Sequence, residues 1–275
     1  MQHPALIALA CEAVGGKRKT PNNVGAALVL LTGAADMHDD IVDKSKIKGG
    51  LPTTYAKFGA DPVLIAGDIL ILKALTLLNS ACDAFPLNVR LEIRRVVDAG
   101  FFELGTTTII ERNYVGKLDV DPAKYFLLFH GKGAVSEACA QIGGVIGQGK
   151  QSEIAALGNF GRTLGVLMAL RHEFEDMRCP IELANRKKCE TLPLPLFYAF
   201  RDKDAKQEIL SLFRNRLTEK TSEKIVKVAM STTEVEGLVD NMKAISKDCE
   251  ERVLVSFSKN RAKFKLLLKL AVEGL

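Results

Sequence analysis

The chain has 275 residues, enough to bury a substantial core as one large domain or two small ones. A hydrophobic share of 47% and a charged share of 26% are those of a globular protein, and a net charge of +5 is too mild to point to nucleic acid. With no Trp and 6% aromatic residues, the composition also argues against a base-stacking platform.

Helical periodicity dominates and alternating strand patterns are scarce. The spacing predicts helices over about 22–46, 61–82, 87–112, 121–147, 151–178, 193–201, 204–215, 219–231 and 233–273. Asp61-Pro62 and Asp121-Pro122 read as an N-cap followed by a first-turn proline. Breaks are expected at Gly49-Gly50-Leu51-Pro52, Phe85-Pro86, Gly147-Gln148-Gly149 and Leu192-Pro193-Leu194-Pro195. Segments such as Val63–Gly67 through Leu77-Leu78 are apolar on more than one face, which suits the interior of a multi-layer bundle. No repeat or linker divides the chain, so one all-α domain is expected over residues 1–275. Six cysteines, at 11, 82, 139, 179, 189 and 249, form no Cys-x-x-Cys pair and indicate a reducing, cytoplasmic setting. Met1-Gln2-His3-Pro4 has no basic n-region, and no apolar run reaches ~18 residues without charge; neither a signal peptide nor a membrane span is expected.

The most informative segment lies in the first of these helices. Asp36, Asp39, Asp40 and Asp43 fall on one helical face. At roughly 5 Å and an effective dielectric near 20, each pair of charges costs about 3 kcal/mol. A solvated face alternates its charges, and only Lys44 follows here. Divalent cations relieve such repulsion, and carboxylate oxygens suit Mg2+, which keeps waters and bridges to substrate phosphates. A second acidic stretch, His172-Glu173-Phe174-Glu175-Asp176, sets Glu173 and Asp176 three apart on a shared face. It lacks the second His of a zinc-protease motif, and a solvated charge run is its plainer reading.

Basic segments accompany the acids: Gly15-Gly16-Lys17-Arg18-Lys19-Thr20-Pro21, Lys48-Gly49-Gly50 and Lys132-Gly133. With Asp39, Asp40 and Asp43 as Asp-Asp-x-x-Asp, Ala66-Gly67-Asp68 and Thr191-Leu192-Pro193, this order closely resembles the trans-polyprenyl diphosphate synthase family over about residues 14–200. The resemblance implies an isoprenoid-synthase bundle of helices around a deep central cavity. There Mg2+ on the two acidic motifs, here Asp39, Asp43, Glu173 and Asp176, holds the diphosphate of an allylic substrate. Asp39, Asp40, Asp43 and Lys132 take the catalytic places, and Lys17, Arg18, Lys48 and Lys132 the substrate-binding ones. Ionisation leaves an allylic carbocation that isopentenyl diphosphate attacks, while metals and cations stabilise the departing pyrophosphate. A homodimer is implied too, or a heterodimer with a complete prenyl synthase.

Departures from the pattern carry information. Of the four cationic positions that grip isopentenyl diphosphate in the family, Lys17 is kept, and the others are Thr20, Thr32 and Gly49. Each lost charge-assisted contact is worth about 1.5–3 kcal/mol, so tight binding of the usual kind is not expected. Arg18 and Lys19 could compensate only through a different geometry. The leading Asp of the second acidic motif is His172, a poor ligand for a hard ion. Asp36 stands where the family has an apolar residue; it reads equally as a helix acid with a local partner or as an extra group near the metal. Three functions stay open: Mg2+-dependent prenyl transfer, a class I terpene cyclase or lyase without an isopentenyl site, and a catalytically weak subunit of a complete synthase. The basic, amphipathic stretch 259–270 reads as a closing helix or dimer surface, with peripheral contact to anionic lipid as the alternative.

Overall fold

The computed structural model describes residues 3–257 and 259–275; Met1 and Gln2, at the start of the N-terminal stretch, and Ser258 lie outside. Fourteen α-helices and one small hairpin build the described chain, in keeping with the all-α expectation. In order these are α1 His3–Ala13, α2 Asn22–Val42, β1 Ile47–Lys48, β2 Leu51–Pro52, α3 Thr54–Phe58, α4 Ala60–Cys82, α5 Leu87–Glu111, α6 Pro122–Lys132 and α7 Ala134–Ile146. There follow α8 Gln151–Arg178, α9 Pro180–Cys189, α10 Leu194–Ala199, α11 Lys203–Leu212, α12 Glu219–Met230, α13 Thr233–Arg252 and α14 Arg261–Val272.

Helix α8 is the centre of the bundle. It packs against α6, α7, α9, α10, α12, α13 and α14, so its apolar residues cannot be confined to one stripe. Leu157, Phe160, Leu167, Leu170, Phe174 and Met177 are all fully buried along it. On one side α7 carries α1 and α5, and α2 lies on α4. Tyr125, Phe129 and Phe197 form an edge-to-face aromatic cluster where α6 meets α10.

Several sequence expectations need correction. The stretch 121–147 is two helices that part at Gly133, where the backbone runs so close to α8 that a Cβ would lie 2.7 Å from the Arg162 carbonyl. The stretch 233–273 breaks as well, with Asn260 in the left-handed region at φ 60°. That turn folds α14 back so that Phe264 meets Phe160 at 4.6 Å between ring centroids. Helix α14 buries Phe264, Leu268 and Ala271 and so closes the bundle, leaving Leu266 and Leu270 exposed. Helices α1, α3 and α9 were not expected; α9 is masked in the sequence by its Arg186-Lys187-Lys188 run. Asp61 is inside the first turn of α4, one residue past its start at Ala60, and is not the N-cap, whereas Asp121 does cap α6 by accepting the Ala123 N–H at 3.0 Å.

Helix α4 also departs from the expectation that nothing could span a membrane. By length and composition alone it is long and apolar enough, although Asp68 and Lys73 interrupt it. It packs on α2 through one face and exposes Leu64, Ile65, Ile69, Leu72 and Leu75 on the others.

The closing contact yields a stability test. Phe264→Ala removes a fully buried ring and should cost about 3–5 kcal/mol. Denaturant unfolding should show one transition moved to lower concentration; loss of only a minor early phase would mean that α14 unfolds apart from the bundle.

Candidate active site

Asp39 and Asp40 lie in the last turn of α2, and Asp43 is its C-cap. Unsatisfied carbonyls give that end of the helix a partial negative charge, which adds to the mutual repulsion of the carboxylates. Rotation about α2 is set by His38, whose Nε2 lies 3.3 Å from the Leu64 carbonyl and 3.5 Å from Asp68 Oδ1 on α4. The ring lies over Gly67, where a Cβ would fall 2.3 Å from Nε2. This packing accounts for the Ala66-Gly67-Asp68 signature.

A cavity of about 820 Å3 opens beside this helix end. Asp36, Asp39 and Asp43 line one wall with Lys48, Gly49 and Gly50 of the hairpin, and Leu104, Thr108 and Glu111 of α5 continue it with Arg112 just past the helix end. Lys132 lines the cavity from α6, and His172, Glu175 and Asp176 of α8 line it with Glu182, Arg186 and Glu190. The sequence-predicted residues Asp39, Asp43, Lys48, Lys132 and Asp176 are thus brought together from four separate parts of the chain.

Other predicted site residues lie apart from this cavity. Glu173 turns inward: its Oε1 accepts from Arg186 at 2.5 Å and its Oε2 from the Leu194 N–H at 2.8 Å, so no oxygen is left for the cavity. The i,i+3 spacing is real, but buried Arg186 captures the N-terminal member of the pair. Asp40 is also buried and does not line the cavity; Lys48 Nζ lies 3.6 Å from its Oδ1, which has no hydrogen bond. Lys17 and Arg18 are exposed on the α1–α2 loop and are absent from the cavity lining. Thr32 bonds back to the carbonyls of Leu28 and Val29. Gly49 and Gly50, at φ 58° and 77°, form the two-residue turn of the β1–β2 hairpin, paired as Ile47 with Pro52 and Lys48 with Leu51. Such a turn needs positive φ at both centres, a conformation an arginine at 49 would adopt only with strain.

Charge pairing organises the rest. Arg112 donates to Asp43 Oδ1 at 2.8 Å, and Lys132 donates to Glu111 at 2.7 Å, which Tyr125 also bonds. Arg186 additionally faces Asp176 at 3.7 Å and Glu190 at 3.5 Å. These partners were missed because Glu111-Arg112 closes a Thr-rich helix and Arg186 sits in a basic run that reads as solvated. Thr191 Oγ1 donates to the Glu111 carbonyl at 3.4 Å, which ties the Thr191-Leu192-Pro193 signature to α5.

The electrostatics follow from burial. Burial pushes Asp39 above its ordinary carboxylate range, with Lys48 and Lys132 pulling against it. Burial, then neighbouring Asp39, raises Asp43 to about 6 despite Arg112. Burial raises Glu190 to about 7, opposed by Arg186. For Glu111 burial also pushes upward, but Lys132 and Arg186 outweigh it and hold the group low. Among the described residues no three His, Cys, Asp or Glu side chains converge as a metal cage. The donors that are present fit Mg2+ nonetheless, since hard carboxylates on one wall leave the remaining coordination positions to water and substrate phosphate.

The comparisons with known proteins point to one family. The family model described as Polyprenyl synthetase matches residues 2–232. The chain is 24% identical over 263 residues to a geranylgeranyl diphosphate synthase from Sulfolobus acidocaldarius, covering 94% of this chain and 77% of the relative. It is 29% identical over 175 residues to a short chain isoprenyl diphosphate synthase from Methanothermobacter thermautotrophicus, covering 63% of this chain and 53% of that relative. It therefore spans about half the length of the second relative. The crystal structure of geranylgeranyl pyrophosphate synthetase from Pyrococcus horikoshii shares the fold, with a TM-score of 0.84 at 24% identity over 99% of this chain and 85% of that one.

The buried carboxylates predict a pH signature. Asp43 has a folded value of about 6 against an ordinary 3.8, so its contribution is fully present below pH 3.8 and is lost as pH rises through 6. Asn at this position carries no charge at any pH. Relative to the parent chain, Asp43→Asn should gain up to about 3 kcal/mol of stability between pH 4 and pH 8, measured by denaturant unfolding without metal. A difference that stays constant across that range would refute the buried-charge account.

Proposed function

The chain belongs to the polyprenyl synthetase family, and from that premise we propose that it binds an allylic prenyl diphosphate with Mg2+ in this cavity and ionises it for trans-prenyl transfer. One observation carries the reading. Eight carboxylates line the cavity against the four cations Lys48, Arg112, Lys132 and Arg186. A bare diphosphate would be repelled from so acidic a site, whereas a diphosphate bringing divalent cations matches it.

In this reading Asp39 anchors the cation on the α2 wall, and Lys48 and Lys132 approach the diphosphate oxygens as point charges. Lys132 is held in place by Glu111, and burial that would favour its neutral form is outweighed by that carboxylate, so it stays protonated. Leu104, Val115, Ile47 and Ile181 supply apolar lining for a hydrocarbon chain. Bound Mg2+ would supply Lewis-acid neutralisation of the leaving pyrophosphate.

A second reading, a catalytically weak subunit of a complete synthase, is supported by the committed arginines. Arg112 on Asp43 and Arg186 on Glu173 occupy carboxylates that metal ions would otherwise use. Thr20, Thr32 and Gly49 leave the acceptor side without its usual cations. Purified protein incubated with Mg2+ and allylic diphosphates of increasing length, with and without isopentenyl diphosphate, separates the readings. Longer diphosphates support transfer. Pyrophosphate with a hydrocarbon or alcohol product supports a cyclase or hydrolase, and silence supports the subunit.

The exposed apolar face of α4 and α5 belongs to this proposal. Ile65, Ile69 and Leu72 recur at helical spacing on α4, and Leu91 and Phe102 stand exposed on α5. Exposed apolar helix faces of this kind call for cover, and a second copy or a related complete synthase provides it. Light scattering at micromolar concentration should give about twice the mass of one 30.0 kDa chain. A single-chain mass would refute self-association, and co-expression with a complete synthase then tests the heterodimer.

A further inference from the structure

The carboxylates lining the cavity are not equally available. Asp43 is bonded to Arg112 at 2.8 Å, Glu111 to Lys132 at 2.7 Å and Glu175 to Arg171 at 2.8 Å. Asp176 and Glu190 share the buried Arg186 at 3.7 and 3.5 Å. Among the described residues, only Asp36, Asp39 and Glu182 line the cavity without a side-chain hydrogen bond or ion pair to another group of the chain. Glu182 stands on α9, on the far wall. Asp36 and Asp39 are three residues apart on α2 and therefore share a face, toward the same side as Lys48.

A cation arriving at Asp43 has to displace a guanidinium whose charge-assisted bond is worth about 1.5–3 kcal/mol. At Asp36 and Asp39 it displaces only water. We infer that the divalent cation on the α2 wall is held by Asp36 and Asp39, one step toward the N-terminus of the helix from the Asp39–Asp43 pair, with Arg112 serving as the permanent counter-charge of Asp43. The inference rests on the diphosphate reading of the cavity. It gives Asp36 a role as metal ligand and explains why a charged group stands on that face beside Ala34 and Ala35.

Binding of Mn2+, which shares the preference of Mg2+ for hard oxygen ligands, can be followed through the paramagnetic resonance signal of the free ion. The full chain is titrated in the presence of inorganic pyrophosphate, so that no turnover is needed. Asp36 is exposed, and its isosteric replacement leaves the core untouched. Asp36→Asn should weaken Mn2+ binding at least about tenfold, and Asp43→Asn less than about threefold. Adding Arg112→Gln to Asp36→Asn releases Asp43 and should recover about threefold or more of the lost affinity. A tenfold loss in Asp43→Asn with less than about threefold in Asp36→Asn overturns the inference and leaves the diphosphate reading standing. A parent chain that binds no Mn2+ with pyrophosphate overturns both.

Discussion

The carbonyl end of α2 is where the structure concentrates negative charge. Asp39, Asp40 and Asp43 crowd a helix terminus that is itself partially negative, and burial removes the water that would screen them. No local sequence feature relieves this. Relief comes from Lys48 on a hairpin, Arg112 at the end of α5 and Lys132 at the end of α6, each brought from a different part of the chain. Folding the bundle and assembling the charged cavity are therefore one problem.

The opposite wall solves a similar problem differently. Glu173 is one of the few buried acids in the protein, and Arg186 and the Leu194 N–H satisfy both its oxygens. A buried pair of this kind adds little net stability over an apolar replacement, but breaking it by removing one partner is costly. Its effect is positional: it fixes α9 and the Thr191–Leu194 segment against α8. Arg186 has then spent its charge on Glu173, Asp176 and Glu190, so among the described residues Glu182 is the one carboxylate of this wall left without a protein partner. The α2 wall keeps free carboxylates, and the two sides of the cavity are chemically unequal.

That inequality bears on the family resemblance. Two of the shared signatures perform packing tasks. Gly67 makes room for His38, and Thr191 reaches the Glu111 carbonyl. Thr32 bonds its own helix, and Gly49 completes a tight turn.

Much of the architecture was legible without tertiary information. The period of 3.6 placed α2, α4, α5 and α8 within a few residues, and it put Asp36, Asp39 and Asp43 on one face, because spacing along a helix is a local property. Motif order carried the family for the same reason. Glu173 shows where that legibility stops. Its spacing to Asp176 was correct, yet an arginine 13 residues on decides that only Asp176 reaches the cavity. The bond from Arg112 to Asp43 spans 69 residues, and nothing in either segment announces it. The left-handed turn at Asn260, whose side chain donates to Glu12 of α1, was not signalled by the helical period either. Local spacing determines which face a charge occupies; packing between remote segments decides whether that charge is offered to a ligand or neutralised by the protein itself.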